Sequence, residues 1–338
     1  MEALYRERED YGNGFRKTYQ EGLQTLLRQR QKASVEQRNM LHDQIREDPD
    51  AFRDIVRQTL GWPLTEARTG IPNVRQHFVA EDSLCEIYRL QVEILKEVWM
   101  YGILFLQKGK EKRPLVISQH GGLGTPEFCS GFFDSENYND MTRRILRKGV
   151  HVFCPQLYLW DDSRFSNQPK DRIKDDILLK QVGSSITAVE IYGIQRCLDY
   201  LEIQPQISSE GFGMIGLSYG GFFTLHLSAL DQRIKAALSS CYFNNNSVRN
   251  DILDWTWMNS SNLFHDAEIG ALVYPRKLWI QVADNDELFR VDLAEKEFER
   301  LKPFYAEKPD ALHLEVFPGV HELSRDDTGI EFVVNALK

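Results

Sequence analysis

Long apolar runs are missing from this 338-residue chain. No stretch approaches the roughly 20 consecutive apolar residues of a membrane-spanning helix. An excess of positive charge is missing too: 41 Lys and Arg stand against 50 Asp and Glu, a formal net charge of -9. Nucleic-acid and anionic-membrane binders carry a basic face, so neither partner is expected. Cysteine is scarce and scattered. Cys85, Cys129, Cys154, Cys197 and Cys241 form no CxxC pair and no Cys/His cluster at metal-ligand spacing. They read as buried thiols of a reducing compartment. The opening MEALYREREDYGNG is charged and lacks the apolar core of a signal peptide, which predicts a cytoplasmic protein. The chain is long enough to bury a sizeable core, as one large domain or as a domain with an appendage.

Residues 1–72 differ in texture from the rest. Glycine is sparse after Gly22 and charge is dense. Phe15, Tyr19, Leu23, Leu26 and Leu27 recur at three- and four-residue steps, which predicts an amphipathic helix. A second helix is expected from Val35 into Arg46. Asp48-Pro49-Asp50 reads as a break and N-cap before a third helix carrying Phe52, Ile55, Val56 and Leu60. These segments predict a helical N-terminal extension that packs on the core or against another subunit.

From Asn73 onward strand signals dominate. Val74–Val79, Cys85–Leu95 and Val98–Leu106 alternate apolar and polar residues and predict antiparallel strands at a sheet edge. Leu115–Ser118, Val150–Pro155, Ile234–Ser240 and Lys277–Ala283 are short and almost continuously apolar, as in strands covered on both faces. Helices are expected over Tyr138–Lys148 and Ser184–Leu201, with a long polar loop over Gln156–Lys180 between them. Asp161-Asp162 in that loop reads as a solvated charge pair rather than a metal site, since no third ligand stands nearby.

The chain is organised around Gly211–Leu225, GFGMIGLSYGGFFTL. A strand, a tight glycine turn and a helix follow one another there, the setting of a nucleophile elbow. The turn must lift one side chain above the strand ends, and backbones crowd two residues before and after it. Gly216 and Gly220 occupy those places around Ser218. The helix that follows points its first amides toward the serine.

Gly216–Gly221 resembles the elbow of the α/β-hydrolase superfamily, and the form GLSYGG is similar to its acetylxylan-esterase, dienelactone-hydrolase and prolyl-oligopeptidase branches. The resemblance covers residues 75–338. It implies an α/β-hydrolase fold: a mostly parallel central sheet flanked by helices, here carrying the N-terminal helical extension, with residues 73–338 as the catalytic domain. Gln119-His120-Gly121-Gly122-Leu123-Gly124 follows an early buried strand, where the superfamily places an HGGG-type oxyanion loop. Gly122 or Leu123 is the implied donor on that side and the amide of Tyr219 is the other. His120 reads as a loop brace. Asp284-Asn285-Asp286 follows a late strand, and the family spacing favours Asp286 over Asp284 as the triad acid. His321, on the loop after the last strand Leu312–Phe317, is the implied base. The order serine, acid, histidine is that of the superfamily. Cys241 to about Gly270 is a cap-like excursion; its Trp255, Trp257, Met258 and Phe264 read equally as a pocket wall or as cap core.

These residues imply a serine hydrolase that cleaves carboxylic esters through an acyl-enzyme, including acetylated carbohydrate or other small esters, with no metal or organic cofactor. Dienelactone hydrolases often use cysteine as nucleophile, whereas serine stands here. A prolyl-oligopeptidase-like peptidase is disfavoured because residues 1–72 show no β-blade repeats. A non-catalytic binding protein on the same fold is the remaining alternative. A homo-oligomer through the N-terminal helices is compatible with their amphipathic pattern.

Overall fold

The computed structural model describes residues 4–62, 67–109, 111–166, 168–245 and 252–338. A nine-stranded sheet runs through it in the order β1-β2-β3-β5-β4-β6-β7-β8-β9. Its antiparallel edge is β1 (Val74–Glu81), β2 (Cys85–Leu95) and β3 (Val98–Gln107). β3 pairs antiparallel with β5 (His151–Pro155). From β5 onward every pairing is parallel: β4 (Arg113–Gln119), β6 (Ile207–Leu217), β7 (Ile234–Ser240), β8 (Lys277–Ala283) and β9 (Leu312–Phe317).

Helices cover both faces of the parallel part, which is why its strands read as unbroken apolar runs. Along β4, Leu115 and Ile117 join one core, with Ile191 and Leu198 of α8 (Ile186–Leu201) and Phe223 of α9 (Tyr219–Leu230). Val116 turns to the opposite core, with Met141 and Ile145 of α5 (Met141–Leu146) and Val333 of α13 (Thr328–Asn335). After β4 the chain steps to β5 on one side and returns to β6 on the other. Gln119, the last residue of β4, therefore pairs with Gly216 at the end of β6. Open α/β sheets bind ligands at such a reversal, beyond the carboxyl ends of the strands.

The N-terminal region is helical, with boundaries that differ from the sequence pattern. The first two expected helices are largely one: α1 runs Asn13–Met40, and only six residues, α2 (His42–Glu47), remain separate. No proline or glycine interrupts the span between Leu27 and Val35, so nothing forces a break there. Asp48 does cap α3 (Pro49–Leu60), accepting from the Ala51 amide at 2.9 Å. α3 buries Phe52, Val56 and Leu60 completely. Its Arg53 and Arg57 donate to the carbonyls of Ala229 and Leu230 at the end of α9, each at 2.8 Å. A cation there satisfies carbonyls that a helix C-terminus leaves unpaired.

The stretch expected as a long loop after β5 holds two helices, α6 (Asp162–Phe165) and α7 (Arg172–Gln181). Asp171 caps α7 by accepting from the Lys174 amide at 3.0 Å, a polar start that reads as loop until its helix is seen. Asp161 caps α6 through the Ser163 amide at 2.9 Å, and Asp162 pairs with Lys170 at 2.6 Å. The helix expected over Tyr138–Lys148 shortens to α5, after a 3-10 turn at Glu136–Tyr138. In the excursion after β7, α10 (Ser260–Leu263) and α11 (Asp266–Ala271) follow residues 246–251, which lie outside the described residues. α12 (Val291–Leu301) joins β8 to β9.

Candidate active site

Ser218 stands between β6 and α9 with φ 60° and ψ -122°, a left-handed conformation that a serine adopts only when its surroundings impose it. The crowding is visible on both sides. A Cβ on Gly216 would collide with the Gly220 carbonyl, and one on Gly220 with the carbonyl of Gln119. The Ser218 amide donates to the Ser240 carbonyl at 2.9 Å, which fixes the elbow to the end of β7. Its hydroxyl makes no cap bond to the helix that it precedes, so the side chain is not spent on structure.

The loop after β4 reaches the same point. A Cβ on Gly121 would lie 3.2 Å from Ser218 Cβ, so the glycine backbone passes directly beside the serine. The loop is held by its own histidine. His120 Nε2 accepts from the Leu157 amide at 2.9 Å, which leaves Nδ1 to donate to the Gly121 carbonyl at 2.8 Å. His120 is fully buried, and burial pushes its pKa down to about 4. It is a neutral brace. The Gly122 amide meets no protein acceptor among the described residues. Leu123 takes φ 58° and pairs with Trp160 in a parallel bridge. Tyr219, first residue of α9, has an amide with no carbonyl one turn behind it.

At the far end of the sheet, His321 Nδ1 lies 2.8 Å from Asp286 Oδ2. The other carboxylate oxygen accepts from the amides of Leu288 at 2.8 Å and Phe289 at 3.1 Å. Burial works against the Asp286 charge, but the bond from His321 and these two amides outweigh it and hold the carboxyl below the usual range. Phe289 stacks on the imidazole at 5.7 Å between ring centres, which fixes its plane. Nδ1 being engaged, Nε2 is the ring nitrogen left for chemistry. Cys241 connects this pair to the serine: it follows Ser240, and its sulfur lies within 4.8 Å of the Asp286 and His321 side-chain ligand atoms. Asp284, the rival acid, is exposed and braces the same turn, accepting from the Gly319 amide at 3.0 Å.

Cys241, Asp286 and His321 form the single group of three potential metal ligands found among the described residues. Its carboxylate and imidazole are already bonded to each other, and burial, with Asp286 adding to it, pushes the Cys241 thiol up to about 12. The set is a hydrogen-bonded pair beside a protonated thiol rather than a preformed metal cage.

No local pattern marks what lies behind Tyr219. Its phenol donates to Asp254 Oδ1 at 2.8 Å. Arg172 Nε donates to the other oxygen of Asp254 at 2.6 Å, and its fork grips Glu190 at 2.8 and 3.0 Å. Asp254 and Glu190 are buried and the Arg172 side chain is nearly so, from three separate segments, so only the fold brings them together. The network fixes the side chain of the residue that follows the serine. Of the four candidate wall residues, Trp255, Trp257 and Phe264 are core: Trp255 packs on Tyr219 at 4.6 Å and on Phe222 at 5.0 Å between ring centres. Met258 is 92 % exposed.

The sequence profile of the dienelactone hydrolase family matches residues 115–322. The chain is 26 % identical over 207 residues to a putative hydrolase, YtaP, of Bacillus subtilis, covering 57 % of this chain and 67 % of that protein. Among solved structures, a putative acetyl xylan esterase from Bacteroides fragilis superimposes with a TM-score of 0.68 at 13 % identity, over 87 % of this chain and 83 % of that one. A glucuronoyl esterase from Solibacter usitatus gives a TM-score of 0.63 at 13 % identity, over 85 % of this chain and 91 % of that one. At such identities these two similarities speak for the fold.

Proposed function

We propose that this chain, which belongs to the dienelactone hydrolase family, is a serine-type hydrolase of carboxylic esters with Ser218, His321 and Asp286 as its catalytic residues. The observation that carries the assignment is the Asp286–His321 bond, beyond the carboxyl ends of the same parallel strands as a serine held at positive φ. In this reading His321 Nε2 takes the proton of the Ser218 hydroxyl as its oxygen attacks the ester carbonyl. Asp286 fixes the tautomer and stabilises the imidazolium. The amides of Tyr219 and of Gly122 or Leu123 receive the developing oxyanion. The tetrahedral intermediate collapses to an acyl-enzyme, and the departing alkoxide takes the proton from His321. Water, deprotonated by His321, then attacks the acyl carbon, and the carboxylic acid leaves as the proton returns to Ser218.

A small-molecule ester with a short acyl group is the proposed substrate, and acetylated carbohydrate is its favoured class. The names of the acetyl xylan and glucuronoyl esterases of like fold point the same way. A fluorophosphonate probe tests the nucleophile: wild type labels covalently, and Ser218→Ala abolishes labelling. Labelling that survives the substitution would remove Ser218 from this role. Faster turnover of a prolyl amide than of p-nitrophenyl acetate would replace the esterase with a peptidase.

We also propose a cytoplasmic location, supported by five buried free thiols; no helix among the described residues is long and apolar enough to cross a membrane. A second copy of the chain is the proposed cover for α1. Phe15 and Tyr19 are 82 % and 70 % exposed, and Leu23, Leu26 and Leu27 continue their stripe. The same helix face ends at Ser34 and Arg38, which are buried against the body, so the stripe extends an existing packing face. A twofold axis would bury two identical stripes on each other. Light scattering on full-length protein checks this: a dimer that becomes monomeric in Phe15→Glu/Leu23→Glu/Leu27→Glu supports it, and a monomeric wild type refutes it.

A further inference from the structure

Asn137 and Tyr138 are neighbours in the 3-10 turn before α5, and their side chains grip two different loops. Asn137 takes the loop that carries His321. Its Nδ2 donates to the His321 carbonyl at 3.2 Å, and its own carbonyl accepts from the Leu323 amide at 2.9 Å. Asn139 Nδ2 donates to the Leu323 carbonyl at 2.7 Å and to the Glu322 carboxylate at 2.8 Å. The Cys241 thiol donates to the remaining carbonyl, that of Glu322, at 3.2 Å. Residues 318–327 form no helix or strand, so side chains supply the partners that a ladder would otherwise give three successive carbonyls.

Tyr138 takes the His120–Gly124 loop. Its hydroxyl accepts from the Gly121 amide at 2.9 Å, and its ring, 2 % exposed, lies edge-on to Phe128 at 5.5 Å between centres. A Cβ on Gly124 would collide with the same hydroxyl, so the tyrosine dictates the last glycine of the loop. His120 already holds the Gly121 carbonyl, and both polar groups of the Gly121 backbone are therefore engaged. The Gly122 N–H shares a planar trans peptide with that carbonyl and points away from it, so its direction is set as well. The turn is strained: Glu136, Asn139 and Asp140 take φ of 36°, 49° and 56°, three of the eight positive-φ residues other than glycine among the described residues. Such backbone persists where its surroundings over-determine it, and it gathers at functional sites.

We propose that Asn137 and Tyr138 are positioning residues of the hydrolysis, the first through His321 and the second through the oxyanion loop. One peptide unit, with Cα atoms about 3.8 Å apart, then fixes the base loop against the loop that passes beside Ser218. The inference rests on the esterase reading and adds to it the element that sets the spacing of its parts. A turn that merely fastened two loops would matter for stability alone. A turn that sets spacing matters for rate, because a misplacement of about 1 Å can cost about 10²-fold.

The test uses full-length Asn137→Ala and Tyr138→Phe, with urea unfolding read alongside. Each should lower kcat on p-nitrophenyl acetate by about tenfold and leave KM within about twofold, since neither side chain is assigned to substrate binding. Two further readouts separate the roles. The downfield proton resonance of His321 Nδ1–H on Asp286 should broaden or vanish in Asn137→Ala and persist in Tyr138→Phe. The preference for p-nitrophenyl acetate over its thionoester, whose sulfur is a weak hydrogen-bond acceptor, should fall about fivefold in Tyr138→Phe and hold in Asn137→Ala. Should Asn137→Ala fail to fold, Asn137→Ser, whose hydroxyl falls short of the His321 carbonyl, carries the same expectations. A kcat within twofold of wild type in both variants would overturn the proposal. So would a loss of kcat with the resonance and the thionoester preference both unchanged, which marks a structural role. Fluorophosphonate labelling that survives Ser218→Ala breaks the esterase reading instead, so the two failures are distinguishable.

Discussion

Two buried carboxylates anchor opposite parts of this molecule. Asp286 sits just beyond the end of β8, its side chain wholly enclosed and bonded to one imidazole, that of the half-buried His321. Glu268, on α11, is equally enclosed but is met from several directions. His42 Nε2 lies at 3.2 Å, Arg38 Nε at 3.7 Å, the His265 amide donates at 2.8 Å, and Arg300 closes the set. Burial opposes the Glu268 charge, yet these partners push its pKa down to about 2. Glu268 clasps the N-terminal helices to the domain through residues of α1 and α2. Burial and charge are alike in the two places. What differs is closure: both oxygens of Glu268 are met by protein donors, whereas the imidazole on Asp286 keeps one nitrogen unspent at the same end of the sheet as a serine that caps nothing.

The sharpest way to break the comparison is to remove each carboxylate's charge. Asp286→Asn should lower kcat on p-nitrophenyl acetate by about 10³–10⁴-fold, because the amide favours the wrong imidazole tautomer. Its melting temperature should stay close to wild type, as the amides of Leu288 and Phe289 still find an oxygen. Glu268→Ala should do the reverse. It leaves the buried Arg38 and the Arg300 guanidinium uncompensated and should cost about 3–5 kcal/mol of folding stability, read by urea unfolding. The fraction still folded should label with fluorophosphonate at the wild-type rate. A Glu268→Ala protein that is stable but inactive would erase the distinction.

A smaller effect lies inside the clasp itself. Burial and the nearby Glu268 push the Glu297 carboxyl up to about 7 from an ordinary 4.5. The folded state thus binds a proton that the unfolded state has released. The associated stability is complete below about pH 4.5 and is lost as pH rises through 7. Glu297→Gln should mimic the protonated form. Its stability should match wild type near pH 5 and exceed it at pH 8 by about 2–3 kcal/mol, read by urea unfolding at the two pH values. A wild-type stability that rises between pH 5 and 8 while the variant stays flat would reverse the assignment.

What could be read in advance divides along the same line. The Ser218 elbow and the glycine loop after β4 are local patterns, each complete within a few residues, so the sequence carries them. Strand positions were legible because both faces of the parallel sheet are covered and the apolar runs are continuous. The Glu268 clasp and the Arg172–Asp254–Glu190 support of Tyr219 were not legible. Each joins charged residues from at least three distant segments, and a charged residue alone in sequence looks like solvated surface. α7 was missed for a related reason: Arg172 and Asp176 on it are buried through ion pairs rather than an apolar face, so no hydrophobic period marks them. Trp255 and Trp257 carried no signal that could separate pocket from core, since an aromatic residue serves either.

The smallest predicted effect separates neighbours in a single turn. Asp284 and Asp286 stand two residues apart at the end of β8, and spacing alone only ranks them. The structure gives them different work. Asp284 Oδ1 accepts from the Gly319 amide at 3.0 Å and from the Asn285 side chain at 2.7 Å, so it ties the β8 turn to the loop that carries His321. An asparagine keeps an acceptor oxygen for that amide. Asp284→Asn should therefore lower kcat/KM on p-nitrophenyl acetate by no more than about threefold, in line with the modest net worth of one exposed hydrogen bond. The pH dependence of kcat/KM should be unchanged, since the carboxylate touching the imidazole is intact. If Asp284→Asn instead matched the loss in Asp286→Asn, the imidazole would have to turn toward Asp284 during turnover, and the resting pair with Asp286 would be a storage position rather than the working one.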